Sequence, residues 1–313
     1  MDFLFFLEGL RVPGLNEFMS ALTWLGHPYL FLLVCISLMW CVSKRQAFYI
    51  MVVGITGTVI NQWLKLIFRI PRPWLLDSQL SIVESARSEA LGYSFPSGHT
   101  QFAVSITAGL IASSKKLWIR ILCAVLLVAV PFSRMYLGVH TPLDVGVAAG
   151  LALALTIVIW PFFKDDESFE KNALWVLCVM AVLALAFVVW VHVMPFPADI
   201  DAHNLEEGVK NAWLLLGCSL GLIVSHVVDS RWLHFDVSGT AQTQALKLVF
   251  GLAITIGLVL GLKPALIAIF GDVMWISVIR YFVPVVFAGC IWPLTFPWFA
   301  RLGTRNEVVE RMD

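Results

Sequence analysis

The stretch Ala173–Val191 reads ALWVLCVMAVLALAFVVWV and contains no charged, amide or hydroxyl side chain. About 20 mostly apolar residues are needed for a helix to cross the hydrocarbon core of a bilayer. The stretch therefore predicts a membrane-spanning helix, which we place at residues 173–194. The whole chain supports this interpretation, because 59% of its 313 residues are hydrophobic and only 13% are charged. So few charged residues could not cover a soluble domain of this size with polar surface.

Working outward from this helix, eight further stretches are long and apolar enough to be spans. They lie at 27–43, 47–68, 95–114, 117–133, 143–162, 211–229, 245–262 and 279–300. We therefore predict an all-α fold, a polytopic membrane helix bundle. Residues 1–194 would form a six-span core with an N-terminal interfacial segment at 2–22, and residues 195–313 would add about three helices to the same membrane domain. The piece 264–277, which contains Pro264, is predicted to be interfacial or re-entrant.

Lysine and arginine residues predict the orientation, because short cytoplasmic loops are enriched in them. The loops after the first, third and fifth spans hold Lys44, Arg45, Lys115, Lys116, Arg120, Lys164 and Lys171. With nine spans, Arg301, Arg305 and Arg311 of the C-terminal tail fall on the same side. The sequence thus predicts an N-terminus outside and a C-terminus inside. It contains no N-x-S/T glycosylation site, which favours a bacterial plasma membrane.

Charge and cysteine content exclude some function classes. The formal net charge is zero, which argues against a nucleic acid as partner. The six cysteines show no C-x-x-C spacing, so neither a zinc site nor a disulfide framework is predicted. We also expect no cofactor, no metal and no obligate protein partner.

Three polar clusters interrupt the apolar pattern at the ends of spans. KLIFRIPRP (Lys65–Pro73) closes the second span, PSGH (Pro96–His99) opens the third, and SRMYLGVHTPLD (Ser133–Asp144) joins the fourth to the fifth. The second-to-third and fourth-to-fifth loops lie on one face of the membrane. We therefore expect these clusters to converge in the helix bundle on the extracytoplasmic side.

The first chemical feature of the clusters is an excess of positive charge. Lys65, Arg72 and Arg134 have no three carboxylates nearby in the sequence to neutralise them, and buried together they would repel unless they share an anion. Phosphate suits such a site, because arginine offers a planar fork and lysine a point charge. Ser97 adds a hydroxyl, and Gly98 lets a backbone N–H approach an anion at a helix start.

The second feature is a pair of histidines. His140 and Asp144 are four residues apart and would share a helix face, so the carboxylate can hold one imidazole nitrogen protonated. The other nitrogen is then available as a nucleophile towards phosphorus. His99, from another span, could protonate the departing oxygen and later activate water. Each motif alone has an ordinary structural explanation, such as a snorkelling lysine, a helix cap or an i,i+4 pair. All of them together on one membrane face favour a phosphoryl-transfer site.

The pattern K-x6-R-P, P-S-G-H and S-R-x5-H-x3-D resembles the signature of the type 2 phosphatidic acid phosphatases, also called lipid phosphate phosphatases. The resemblance implies an all-helical membrane core over about residues 27–162. It also implies metal-independent hydrolysis of a phosphomonoester or diphosphate through a phosphohistidine. The implied roles are His140 as nucleophile, Asp144 as its orienting group and His99 as general acid and base. The implied phosphate-binding residues are Lys65, Arg72, Ser97, Gly98 and Arg134.

The substrate is less well defined than the reaction. The extra C-terminal spans are similar to the layout of sphingosine-phosphate phosphatases, but those have Ser-Thr-His where this chain has Ser97-Gly98-His99. Long-chain lipid phosphates (phosphatidate, lysophosphatidate, sphingosine phosphate or phosphatidylglycerol phosphate) rank first, polyprenyl diphosphate second and a soluble sugar phosphate last.

Two other functions stay open at this point. The first is a transporter or flippase that uses the cationic pocket for binding only. The second is a haloperoxidase that holds vanadate in the same anion cradle, although those relatives are soluble. The loop at 74–94 is predicted to be either a cover over the phosphate site or a plain connector.

Overall fold

The computed structural model of the chain describes residues 1–301, so Arg305 and Arg311 of the tail lie outside the described residues. Over that range the regular structure is helical and contains no strand, which confirms the all-α prediction. The α-helices are α1 Asp2–Gly9, α2 Pro13–Thr23, α3 Pro28–Cys41, α4 Lys44–Phe68, α5 Pro73–Leu76, α6 Gly98–Ser113, α7 Leu117–Tyr136, α8 Pro142–Ile159, α9 Asp166–Val193, α10 Ala202–Val228, α11 Ala241–Phe270 and α12 Ile276–Val286.

Seven helical segments of the described chain are long and apolar enough to cross a membrane, so the protein is a multi-pass membrane protein. They are Lys44–Leu76, Leu117–Tyr136, Pro142–Phe162, Asp166–Val193, Ala202–Leu233, Ala241–Phe270 and Ile276–Arg301. The pair Pro13–Gly26 and Pro28–Cys41, bent by 51°, makes an eighth if it counts as one span. The sequence predicted nine.

The shortness of helix α6 accounts for the loss of the predicted span at 95–114, and a second feature changes the predicted piece at 264–277. Helix α6 has only 16 residues, because Ser97 caps its start and Ser114 leaves helical geometry at its end. Helix α11 runs without a break through Pro264, so the predicted interfacial piece at 264–277 is wrong. A proline inside a membrane helix removes one backbone hydrogen bond, a loss that neighbouring groups can offset.

The first compact unit comprises Met1–Val34, Tyr49–Pro161 and Val193–Gly208. Helix α6 packs against both α7 and α8 at its centre. Their shared core contains the buried Val104, Ala108 and Ala152. This packing brings the start of α6, the end of α7 and the start of α8 together. Those three places carry six of the eight predicted site residues, whereas Lys65 lies near the end of α4 and Arg72 directly before α5.

The N-terminal segment belongs to the same unit and packs against the end of α7. Leu4 and Leu7 of α1 are buried. The Arg11 guanidinium donates to the Tyr136 carbonyl at 2.9 Å, and the Tyr136 hydroxyl donates to the Asn16 side chain at 2.9 Å. The two helices are therefore packed into the first compact unit, and their predicted interfacial position stays a prediction.

The second compact unit comprises Cys35–Phe48, Phe162–His192 and the described chain from residue 209 onward. Helix α11 packs against α12, and indole groups connect the elements. Trp40 donates to the Ala288 carbonyl at 2.8 Å, and Trp292 donates to the Lys247 carbonyl at 3.1 Å. The two indoles approach Gly251 so closely that a Cβ there would lie 2.3 Å from Trp292 and 2.6 Å from Trp40. The predicted division of the chain at residue 194 stays a prediction.

Candidate active site

His140 and Asp144 lie next to each other at the start of α8. The imidazole Nδ1 is 3.4 Å from the Asp144 carboxylate, and the side chains of His140 and Asp144 are 2% and 1% exposed. The contact does not arise from two positions on one helix face, as the sequence suggested. His140 precedes the helix, Thr141 is its N-cap, and Asp144 reaches back from the third helical position. The carboxylate therefore completes a capping box as well as facing the histidine.

Other groups hold the Asp144 carboxylate in place. The same oxygen, Oδ2, accepts a hydrogen bond from the Thr141 backbone N–H at 2.7 Å and from the Ser94 hydroxyl at 2.6 Å. Ser94 is fully buried, and its oxygen lies 3.4 Å from His140 Nδ1. An acceptor fixed in this way favours the tautomer in which Nδ1 carries the proton, which leaves a lone pair on Nε2.

Arg72 occupies the other side of the His140 ring. Its Nη1 lies 2.9 Å from His140 Nε2, and since a guanidinium can only donate, Nε2 is the acceptor. The remaining donors of Arg72 bond the carbonyl groups of Leu91, Gly92 and Val139. The nitrogen predicted to be nucleophilic thus points at a cation that is itself held by the backbone.

Lys65 and Arg134 complete the set of three cations. Lys65 Nζ donates to the Tyr93 carbonyl at 2.5 Å, and Arg134 Nη1 donates to the Thr23 hydroxyl at 2.8 Å. Within residues 1–301, none of the three cations forms an ion pair with a carboxylate. Arg134 is fully buried, and its Nε and Nη2 have no hydrogen-bond partner among the described residues. Two orphaned donors on a buried cation are expensive, which favours an anion as their partner.

The PSGH motif forms the start of α6. Ser97 is the N-cap, and its hydroxyl oxygen accepts from the Thr100 N–H at 3.4 Å. Gly98 and His99 are the first two helical residues, whose N–H groups have no carbonyl partner inside the helix. A Cβ on Gly98 would meet no atom within 4 Å, so there is open space beside the Gly98 Cα. The arrangement suits an anion at a helix N-terminus.

The cations and the histidines lie close enough to interact electrostatically. Burial, and then the positive charges of Arg72, Arg134 and Lys65, lower the pKa of His140 well below its ordinary value. His99 interacts with Arg134, His140, His27 and Arg72. The structure therefore brings together all eight residues that the sequence singled out, on the three segments predicted to converge.

The lowered pKa of His140 predicts how activity depends on pH. A lowered pKa keeps the imidazole neutral, and hence nucleophilic, at pH values where an ordinary histidine is protonated. In Lys65→Gln one positive charge is lost while a donor to the Tyr93 carbonyl remains, so the pKa of His140 rises. We expect the acid limb of the kcat/KM profile to move to higher pH in this variant. Both proteins are measured on one substrate, so its own ionisation cancels, and an unmoved limb would contradict the prediction.

The orphaned donors of Arg134 predict a large effect for a conservative change. Arg134→Lys keeps the charge but replaces the planar, bidentate fork of donors with a single ammonium nitrogen. We expect phosphate release to fall by about 10²- to 10³-fold, the usual loss for one preorganised transition-state donor. Arg120→Lys, at an exposed position of the same helix, is the matched control and should leave the rate unchanged.

Several residues beside the site were not found from the sequence. Ser94 lies three residues before Ser97 without any recognisable spacing, and Thr23, His27 and Glu89 lie in segments outside the three motifs. His27 Nε2 is 3.1 Å from the Glu89 carboxylate. The loop that was predicted to be a cover or a connector thus contributes Glu89, Ser94 and the carbonyls that bond Lys65 and Arg72. No single one of them carries a sequence signal, because their chemistry depends on the fold.

Family profiles match two parts of the chain. Residues 46–168 match the PAP2 superfamily, and residues 213–305 match the transmembrane extension of PAP2 superfamily phosphatases. The first match contains all eight predicted site residues. The second covers helices of the second compact unit.

Two curated proteins are similar to the chain. The undecaprenyl-diphosphatase BcrC of Bacillus subtilis is 29% identical over 126 residues, which cover 40% of this chain and 60% of that protein. An undecaprenyl-diphosphatase of Sulfolobus acidocaldarius is 29% identical over 136 residues, covering 43% of this chain and 64% of that protein. The matched part of the chain thus spans less than two thirds of either relative. No solved structure matches the chain significantly.

Proposed function

Because the chain belongs to the PAP2 superfamily, we propose that it is a membrane-embedded phosphatase that hydrolyses the phosphomonoester or diphosphate of a lipid phosphate. One structural observation is the main support for this proposal. The acceptor nitrogen of a buried histidine faces an arginine, while a second buried arginine nearby has two donors without a partner. A nucleophile and the cationic donors that would bind the phosphoryl group are thus present at one place.

In the first step His140 would attack the phosphorus. The lone pair of Nε2 forms an N–P bond, and the P–O bond to the leaving group breaks. Arg72 gives up its hydrogen bond to Nε2 and donates to a phosphoryl oxygen instead. Lys65, Arg134, Ser97 and the N–H groups at the start of α6 stabilise the remaining charge. Asp144 stabilises the positive charge that develops on the imidazole.

His99 would supply the proton for the leaving group. Its imidazole donates the proton to the departing oxygen, and the negative charge of the bound phosphate favours the protonated form that this requires. In the second step the neutral His99 takes a proton from water, the water oxygen bonds to phosphorus, and the N–P bond breaks. Inorganic phosphate leaves, and both histidines return to their starting states. No metal ion takes part in this scheme, in which three protein cations balance the charge.

The substrate that we propose first is a polyprenyl diphosphate, and long-chain lipid monophosphates come second. This order reverses that drawn from the sequence, and the two curated relatives, both undecaprenyl-diphosphatases, support it. A diphosphate also presents more negative charge than a monoester to a site with three cations and no neutralising ion pair.

The test is a panel of lipids assayed for released phosphate in detergent. Undecaprenyl diphosphate, phosphatidate, lysophosphatidate, sphingosine phosphate and phosphatidylglycerol phosphate are compared, with the His140→Gln variant as blank and EDTA in a parallel series. We expect the highest kcat/KM on the diphosphate and no effect of EDTA. Absence of phosphate release from every lipid would overturn the proposal, and loss of activity in EDTA would overturn its metal-free form.

A transporter or flippase remains the alternative function. A pocket that only binds needs cations but no nucleophile, so the fixed His140–Asp144 pair favours hydrolysis. Movement of a fluorescent lipid phosphate across vesicles that persists in His140→Gln, without phosphate release by the wild type, would favour the transporter.

We place the site on the extracytoplasmic side of a bacterial plasma membrane. The placement rests on the basic residues in the loops after α3, α6 and α8, which lie at the opposite ends of their spans from the site. Labelling of a single cysteine at the exposed position Leu91 by a membrane-impermeant reagent on intact cells tests it. Labelling only after cell lysis would show that the site faces the cytoplasm instead.

A further inference from the structure

The segment from Thr23 to His27 lies outside both family matches and still contacts the proposed catalytic groups. Thr23 accepts a hydrogen bond from Arg134 at 2.8 Å. At Gly26 the backbone approaches the start of α6 so closely that a Cβ would lie 2.5 Å from the His99 carbonyl oxygen. Only glycine allows this approach, so the chain is held directly against His99.

The ring of His27 is fixed on three sides. Its Nε2 lies 3.1 Å from the Glu89 carboxylate, and its Nδ1 accepts from the Tyr29 backbone N–H at 3.2 Å. The Trp24 ring stacks on it, with centroids 4.6 Å apart and an interplanar angle of 23°. Both ring nitrogens therefore have partners, and the ring is held in one orientation.

The fixed ring of His27 lies beside the imidazole of His99. The two ring centroids are 5.7 Å apart in an edge-on arrangement with an interplanar angle of 71°. The His99 ring itself makes no hydrogen bond with any described residue, so its orientation depends on the side chains packed beside it. An edge-on aromatic contact has a preferred geometry and restricts the χ angles of its partner.

We propose that His27 is a positioning residue for His99, and that Glu89 holds His27 in that role. The inference rests on the proposed function, in which His99 protonates the leaving group. His27 selects the orientation of the imidazole that points towards the leaving oxygen, and general acid catalysis needs such an orientation within hydrogen-bond reach. The N-terminal segment thereby completes the active site of the superfamily domain.

Two substrates with different leaving groups test the proposal, because a merely structural role of His27 would affect the rates on both equally. An alkyl phosphate needs a proton on its departing oxygen, whereas 4-nitrophenyl phosphate releases a stabilised anion and depends little on an acid. In single-turnover assays we expect His27→Ala to lower the rate on a long-chain alkyl phosphate at least about 10-fold more than the rate on 4-nitrophenyl phosphate. His27→Phe keeps a ring edge beside His99 and should retain most of the alkyl phosphate activity. His203→Ala, at an exposed histidine of the same unit, should change neither rate.

Gly26→Ala is a second variant that acts on the same contact from the backbone. Its added Cβ must displace the segment from His99, so it should reproduce the selective loss on the alkyl phosphate, while Gly14→Ala, with open space around its Cβ, should not. Equal losses on both substrates, or His27→Phe no better than His27→Ala, would overturn the proposal. If the wild type releases phosphate from none of the lipids in the panel, the proposed function fails instead, before any variant is compared.

Discussion

Replacing His140 with glutamine is expected to reduce phosphate release on the order of 10⁴-fold or more, the scale seen when a hydrolase loses its nucleophile. Glutamine fills a similar volume and can still accept from Arg72 through its amide oxygen. It has no lone pair basic enough to form a bond to phosphorus. The cations should still bind the anion, so the affinity for phosphate should change little.

The measurement is the single-turnover rate on the preferred lipid, with phosphate affinity determined by competition. His203→Gln is the control, because it makes the same substitution at an exposed position. A rate for His140→Gln within about 10-fold of the wild type would mean that His140 is not the nucleophile, since removing one has far larger effects.

Asp144→Asn is expected to give the second largest loss, about 10²- to 10⁴-fold, comparable to the effect of the same change in Ser-His-Asp enzymes. The carboxylate oxygen accepts from Ser94 and Thr141 and faces Nδ1 of His140. With its amide oxygen in the place of Oδ2, asparagine is an uncharged and weaker acceptor for the proton on Nδ1, so it holds the required tautomer less firmly. It would also no longer stabilise the imidazolium that forms during attack.

A change of fold would be the ordinary explanation for such a loss, so a control is needed. The amide oxygen of asparagine can still accept from the Thr141 N–H, and we expect the thermal midpoint to fall by only a few degrees. Ser94→Ala removes one of the bonds to the same carboxylate without changing its charge, and should lower the rate by less than Asp144→Asn. A larger loss in Ser94→Ala would contradict the role given to Asp144.

Much of the fold and the site could be predicted from the sequence, for identifiable reasons. Long apolar runs such as Ala173–Val191 leave few structures other than a membrane helix. The eight site residues could be named because Lys65, Arg72, Arg134 and the two histidines are polar groups at the ends of apolar spans. Such groups are costly in a membrane and therefore stand out.

The features that could not be predicted from the sequence depend on contacts between residues that are far apart in the chain. The length of α6 depends on the cap at Ser97, and the continuity of α11 through Pro264 depends on what surrounds it. His27 and Glu89 are 62 residues apart and look like ordinary flanking residues until the fold places them together. The His140–Asp144 contact was expected for the wrong reason, because a capping box and not a shared helix face produces it.

The central claim is that the phosphoryl group passes through His140. The most direct measurement uses lipid labelled with ³²P at the terminal phosphate, mixed with enzyme in excess and quenched in alkali, where a phosphohistidine survives. We expect a transient labelled enzyme that is lost on acid treatment, with the label mapped by mass spectrometry to His140. In His99→Gln, which lacks the acid of the first step and the base of the second, the labelled enzyme should both form and decay more slowly. Complete phosphate release without any labelled enzyme at early times, or a label on another residue, would contradict this account.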